Sequence, residues 1–201
     1  MNQEESKVQD FRIGDQVLYK NNQLIAFNKP VMLPVQPDKT GDKSLLELAE
    51  MYAHSKLHLV HRIDRPAGGV VLFAKNTTAL AALHEQFRLR EVEKTYLAVV
   101  QQLPPEPSGQ LRHYLVKNGR TNRSSLTETA VPGAQESVLD YRLLGSSERY
   151  HLLEIKLHTG RHHQIRAQLA AIGCPIKGDV KYGFRRSNPG GGIHLHAWKL
   201  S

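Results

Sequence analysis

The run Val70-Val71-Leu72-Phe73-Ala74 constrains the fold most: it is continuously apolar and suits a strand covered on both faces. A polar, glycine-bearing segment, His61-Arg62-Ile63-Asp64-Arg65-Pro66-Ala67-Gly68-Gly69, stands directly before it. Other apolar runs are equally short. None approaches the roughly 18–20 residues that span a bilayer, so no membrane partner is expected. Leu153, Ile155 and Leu157 alternate with Glu154, Lys156 and His158, the period of a strand with one covered face. Lys94–Val100 reads as a further strand, several more are expected between 109 and 160, and His194–Trp198 closes the chain as another. Near the start, Val17–Tyr19 and Leu24–Phe27 flank Asn21-Asn22, which suggests a hairpin.

Helices are fewer. Apolar residues recur at helical spacing over 44–54, and again at Leu80, Leu83, His84 and Phe87 after a cap at Asn76 or Thr77. A third helix is expected near 163–172, with Ile165, Leu169 and Ile172 on one side. Pro30, Pro34 and Pro37 make an extended loop. Six glycines and two prolines in 173–192 make another, either ordered or a mobile basic flap. The pattern predicts one α+β domain over 16–201, with a mixed, largely antiparallel sheet flanked by helices, after a polar lead-in over 1–15. That lead-in does not resemble a secretory signal, and the one cysteine, Cys174, cannot form an internal disulfide, so a cytoplasmic location is expected. Lys and Arg exceed Asp and Glu by 27 to 19, a net +8, which suits a polyanionic partner.

Two polar clusters could carry chemistry. In the first, arginines on both sides of Asp64 would hold its carboxylate ionised, and the following glycines let backbone approach a ligand closely. The second, Thr159-Gly160-Arg161-His162-His163-Gln164-Ile165-Arg166, opens the third helix. On local pattern alone, Asp64 serves equally well as a turn acceptor with a solvated arginine rim. There is no phosphate-binding loop, no dinucleotide fingerprint and no Gly-x-Ser-x-Gly elbow. Of the 11 histidines, His162-His163 would diverge on a helix and His194 and His196 would share a strand face, without the third ligand a catalytic metal needs. No metal is expected.

Residues 61–75, His61-Arg62-Ile63-Asp64-Arg65 through Phe73-Ala74-Lys75, closely resemble the signature of the RluA family of pseudouridine synthases. Four further blocks agree in order. They are Asn28-Lys29-Pro30-Val31-Met32-Leu33-Pro34-Val35, Glu93-Lys94-Thr95-Tyr96-Leu97-Ala98, Gly160-Arg161-His162-His163-Gln164-Ile165-Arg166, and Ile172–Asp179 with Tyr182-Gly183. The match is to the family's catalytic domain alone. Met32 stands where the family has glycine, His162 where it has threonine, and Ala67-Gly68 where it has Thr-Ser.

The resemblance implies the pseudouridine synthase fold with a central RNA-binding cleft. It implies conversion of selected uridines in transfer or ribosomal RNA stem-loops to pseudouridine, without cofactor or metal, by a monomer. Asp64 would be the essential carboxylate at the anomeric carbon, whether by adding to ribose or by promoting elimination. Tyr96 would stack on the flipped uracil and assist a proton transfer. Arg166 would pair with Asp64. Arg62 and Arg65 would hold phosphates, Arg161, His163 and Ile165 would contact substrate, and Lys177, Lys181, Arg185 and Arg186 would add non-specific RNA affinity. A catalytically silent RNA-binding protein or chaperone on the same fold keeps the basic surface but has no use for Asp64 and Tyr96 together. A histidine-metal phosphoesterase would instead cleave RNA in a chelator-sensitive way.

Overall fold

Asn21 closes the first hairpin through its side chain, whose Oδ1 accepts from the amides of Gln23 (2.8 Å) and Leu24 (2.7 Å). The computed structural model describes residues 11–201, so most of the lead-in lies outside the described residues. The hairpin strands are β1 (Val17–Lys20) and β2 (Leu24–Lys29). After the proline loop, Ser44 caps α1 (Leu45–Ala53) in a reciprocal capping box with Glu47. The short β3 (His58–Leu59) leads through the Asp64 segment into β4 (Gly68–Ala74), which holds the founding apolar run. Asn76 then caps α2 (Thr77–Leu89) by accepting from the Ala79 amide at 2.8 Å. Leu80, Leu83 and Phe87 pack inward from α2, whereas His84, expected in the same stripe, is exposed.

The second half is mostly strand: β5 (Lys94–Val100), β6 (Ser108–Asn118), β7 (Arg123–Thr127), β8 (Gln135–Ser146) and β9 (His151–Leu157). Helix α3 (Gln164–Ala171) and the loop 173–192 follow, and β10 (Leu195–Leu200) ends the chain. Among the described residues, ten strands form one sheet in the order β1-β2-β4-β10-β5-β9-β8-β6-β7, with β3 beside β4. Strands β10 and β4 are parallel, and the other pairs are antiparallel. The last strand therefore slots between β4 and β5, at the middle of the sheet.

Gly69 makes that insertion sterically allowed. Its φ is +113°, and a Cβ there would lie 2.2 Å from the carbonyl oxygen of Ala197 on β10. On one side of the seam, Ile25, Phe27, Val71 and Phe73 pack with α1 residues Leu45 and Ala49. On the other, Ala98, Leu139, Leu153 and Ile155 pack with α3 residues Ile165 and Leu169. Tyr96 on β5 touches both clusters, so it sits where the two halves of the core meet.

Helix α3 differs from expectation. Instead of one apolar side, six of its eight residues are buried, Gln164, Arg166 and Gln168 among them. Polar burial is tolerated because partners are supplied to most of these groups, Gln168 Oε1 excepted. Gln164 donates to the Val138 carbonyl (3.1 Å) and accepts from Thr159 Oγ1 (2.8 Å), and Gln168 donates to the carbonyls of Leu111 (3.0 Å) and Ser137 (3.1 Å). The loop 173–192 packs against the body of the fold through two of its own residues, Asp179 and Tyr182, which are buried.

Candidate active site

Asp64 lies in the turn before β4, where the Ala67 amide closes back onto its carbonyl at 3.0 Å. Its side chain is 26% exposed, open to a cleft of about 300 Å³ that is also lined by Tyr96, Ile165, Arg161 and Lys94. Arg166 Nη1 donates to Asp64 Oδ2 at 3.2 Å. The rest of that guanidinium is committed elsewhere: Nε and Nη2 grip the two carboxylate oxygens of Asp179 at 2.7 and 2.8 Å. This is the planar fork that lysine cannot reproduce. Burial pulls Arg166 down, but hydrogen bonds and charge from Asp179, then Asp64, outweigh it and hold the group above its ordinary range.

The other flank of Asp64 is His163, whose Nε2 stands 3.8 Å from the same Oδ2. Burial, with the positive charge of Arg166, pushes this imidazole down to about 2, so it is neutral. Its Nδ1 meets the Tyr182 hydroxyl at 2.9 Å. His163, expected to touch substrate, lines the cleft but is only 7% exposed, its ring stacked on His162 at 3.8 Å between centroids. His162 is tied to the β6–β7 turn through Ser124 Oγ (2.9 Å) and Asn122 Oδ1 (3.0 Å).

Tyr96 is half-buried on the cleft wall, and burial first, then the charge of Asp64, raises its phenol above the ordinary value. It therefore stays protonated and offers an aromatic face with a hydroxyl tip. Arg62 is exposed where the cleft meets a second one running past Pro34, His162 and Lys181. Arg65, expected at the phosphates, is turned onto the proline loop. Its Nε donates to the Met32 carbonyl (2.9 Å), Nη1 to Thr40 Oγ1 (2.8 Å), and the guanidinium pairs with Asp38 and Asp42.

Two supports were missed from sequence. Lys29, 1% exposed, spends its ammonium on the carbonyls of Pro30 (2.9 Å), Leu33 (2.7 Å) and Arg65 (3.1 Å), clasping the proline loop to the Asp64 turn. Burial pushes it down to about 7, against the opposing charge of Asp64. Asp179 is the second. Met32 adopts a φ of 67°, the left-handed region that glycine occupies without cost, which explains the glycine expected there. Among the described residues, no group of three or more His, Cys, Asp or Glu side chains is placed to hold a metal ion.

A carboxylate held by an arginine beside an aromatic phenol, in a cleft rimmed with cations, is the arrangement that the motif resemblance requires. A family profile described as RNA pseudouridylate synthase matches residues 23–171. The chain belongs to that family. Among its relatives in the pseudouridylate synthase family, "Ribosomal large subunit pseudouridine synthase C" of Rickettsia felis is 33% identical over 178 residues, 87% of this chain and 58% of that protein. An uncharacterized RNA pseudouridine synthase of Bacillus subtilis, YhcT, is 33% identical over 182 residues, 83% of this chain and 57% of its own length. The chain thus spans less than two-thirds of these relatives. The solved structure of human RNA pseudouridylate synthase domain containing 4 superposes with a TM-score of 0.76 at 27% identity, covering 94% of this chain and 84% of that one.

Proposed function

We propose that this chain isomerises specific uridines in structured RNA to pseudouridine, with Asp64 as the essential carboxylate. The observation that carries this reading is the Arg166–Asp64 contact of 3.2 Å at the mouth of a cleft walled by Tyr96. In that chemistry the bond between ribose C1′ and uracil N1 breaks, the base turns, and C1′ bonds to C5. The C5 proton leaves and N1 regains one. Asp64 supplies the negative charge at C1′, by addition or by taking part in elimination, and Arg166 keeps it aimed. Tyr96 holds the base by its face while it turns. Ile165 gives the cleft an apolar wall, and the rim cations Arg62 and Arg161 meet phosphates.

A uridine must leave its stack to enter, at a cost of a few kcal/mol that is least in loops. Stem-loops of transfer or ribosomal RNA are therefore the proposed substrates, and the relative named for the large ribosomal subunit favours the ribosomal arm. The test is tritium release from RNA labelled at uridine C5. Wild type releases label and Asp64→Asn releases none while melting and binding RNA as wild type does. Release by Asp64→Asn near the wild-type rate would remove Asp64 from the chemistry. RNA binding with no release by wild type would support a silent RNA-binding protein instead.

A further inference from the structure

Both neighbours of the Asp64 carboxylate address one oxygen. Arg166 Nη1 reaches Oδ2 at 3.2 Å and His163 Nε2 faces Oδ2 at 3.8 Å. Behind His163 stands Tyr182, 4% exposed, in the loop after α3 and beyond the span that the family profile matches. Its hydroxyl accepts from the Ser124 amide at 2.8 Å, so its own proton remains to be placed. Two acceptors compete for it, His163 Nδ1 at 2.9 Å and the Ser124 carbonyl at 3.3 Å. The shorter contact goes to the imidazole. A neutral ring that accepts at Nδ1 carries its proton at Nε2, the nitrogen that stands 3.8 Å from Oδ2 of Asp64. The Tyr182 ring is itself fixed, edge-on to His163 and beneath the Arg166 guanidinium, whose carbon lies 5.0 Å from the ring centroid.

We propose that Tyr182 is a positioning residue for the reaction: through the tautomer of His163 it helps Arg166 hold Oδ2 of Asp64, which turns Oδ1 toward the ribose. The proposal rests on the catalytic reading of Asp64. At 3.8 Å the His163 contact is longer than a hydrogen bond, so the proposal requires it to shorten in the substrate complex, as apo catalytic contacts commonly do. The arm stays neutral. Arg166, His162, Lys181 and Lys117 all oppose a proton on His163, and a neutral donor orients Asp64 without forming a second ion pair that would blunt its charge.

Three variants test this in single-turnover assays at saturating enzyme, with RNA affinity measured separately. Tyr182→Phe removes only the hydroxyl, and its rate is expected to fall about tenfold with unchanged affinity, the size of one lost hydrogen bond in the positioning arm. His163 is replaced by Gln and by Asn. The Gln amide nitrogen reaches the Nε2 position, while Asn stops at Nδ1. His163 has a φ of 54°, a conformation that Asn tolerates better than other non-glycine residues. A purely structural role therefore predicts Asn as the better substitute, and the positioning role predicts Gln, by about tenfold or more in rate. The order Asn above or equal to Gln overturns the proposal, as does a full-rate Tyr182→Phe protein. The His163 pair decides alone if Tyr182→Phe does not fold. Asp64→Asn runs beside them: its activity would sink the catalytic reading, whereas an inactive Asp64→Asn with the reversed His163 order sinks only the Tyr182 arm.

Discussion

Replacing Asp179 with asparagine is expected to cost more stability than any other single change at the site. Asp179 and Arg166 have side-chain exposures of 1% and 5%, and they are joined by two parallel hydrogen bonds of 2.7 and 2.8 Å. Asn keeps the shape but turns an N–H toward one guanidinium N–H, and it leaves a buried cation facing a neutral partner. Breaking a buried pair in this way costs about 3–5 kcal/mol. Domains of this kind have a total of roughly 5–15 kcal/mol, so the loss takes about a fifth or more of the fold's margin. At about 2–4 °C per kcal/mol for a chain of 150–250 residues, melting drops by about 6–20 °C. Circular dichroism melts read it directly. The mechanism also predicts strong non-additivity: Arg166→Met with Asp179→Leu, which removes both charges together, melts above Asp179→Leu alone. A drop of under 2 °C for Asp179→Asn, or a double variant whose loss equals the sum of its singles, would refute the buried-pair reasoning.

The fold should also be acid-sensitive through His61, whose Nε2 accepts from the Leu72 amide at 3.1 Å and which burial, then Lys94, pushes down to about 4. The unfolded chain takes up this proton below about 6.5 and the folded one only near 4, so stability present above 6.5 is lost as pH falls, by up to about 3 kcal/mol. His61→Gln, which can still accept from Leu72, is expected to show a shallower fall in melting temperature between pH 7 and pH 4; a slope equal to wild type would exonerate His61. Gly69→Ala should separate β4 from β10, because its Cβ would meet Ala197 backbone at 2.2 to 2.8 Å at a φ of +113°. Faster exchange of the amides of β10 reads it, and wild-type protection there would show that the close approach is not needed.

What sequence showed and what it hid divide along contact range. The Asp64 turn was legible because its chemistry is local: the arginines, proline and glycines that shape it stand within a few residues, and the strand after it is plain from Val70–Ala74. Its two arginines were not distinguishable. Arg62 and Arg65 share one composition and one motif, and only the path of the proline loop brings Asp38, Thr40 and Asp42 against Arg65 and leaves Arg62 in the open.

Asp179 and Tyr182 were harder still, since a glycine-rich stretch reads as surface whatever it carries. Their burial depends on partners far along the chain: Asp179 on Arg166, 13 residues back, and Tyr182 on Ser124, 58 residues back. The same physics blurred α3. A helix whose inward face mixes Ile165 and Leu169 with Gln164, Arg166 and Gln168 shows only a weak apolar stripe, because hydrogen bonds rather than apolar contact make its polar half compatible with the interior. Apolar periodicity finds elements that are held by the hydrophobic effect. An element held partly by a buried ion pair and amide clasps escapes it, and in this protein that element carries the arginine that contacts Asp64.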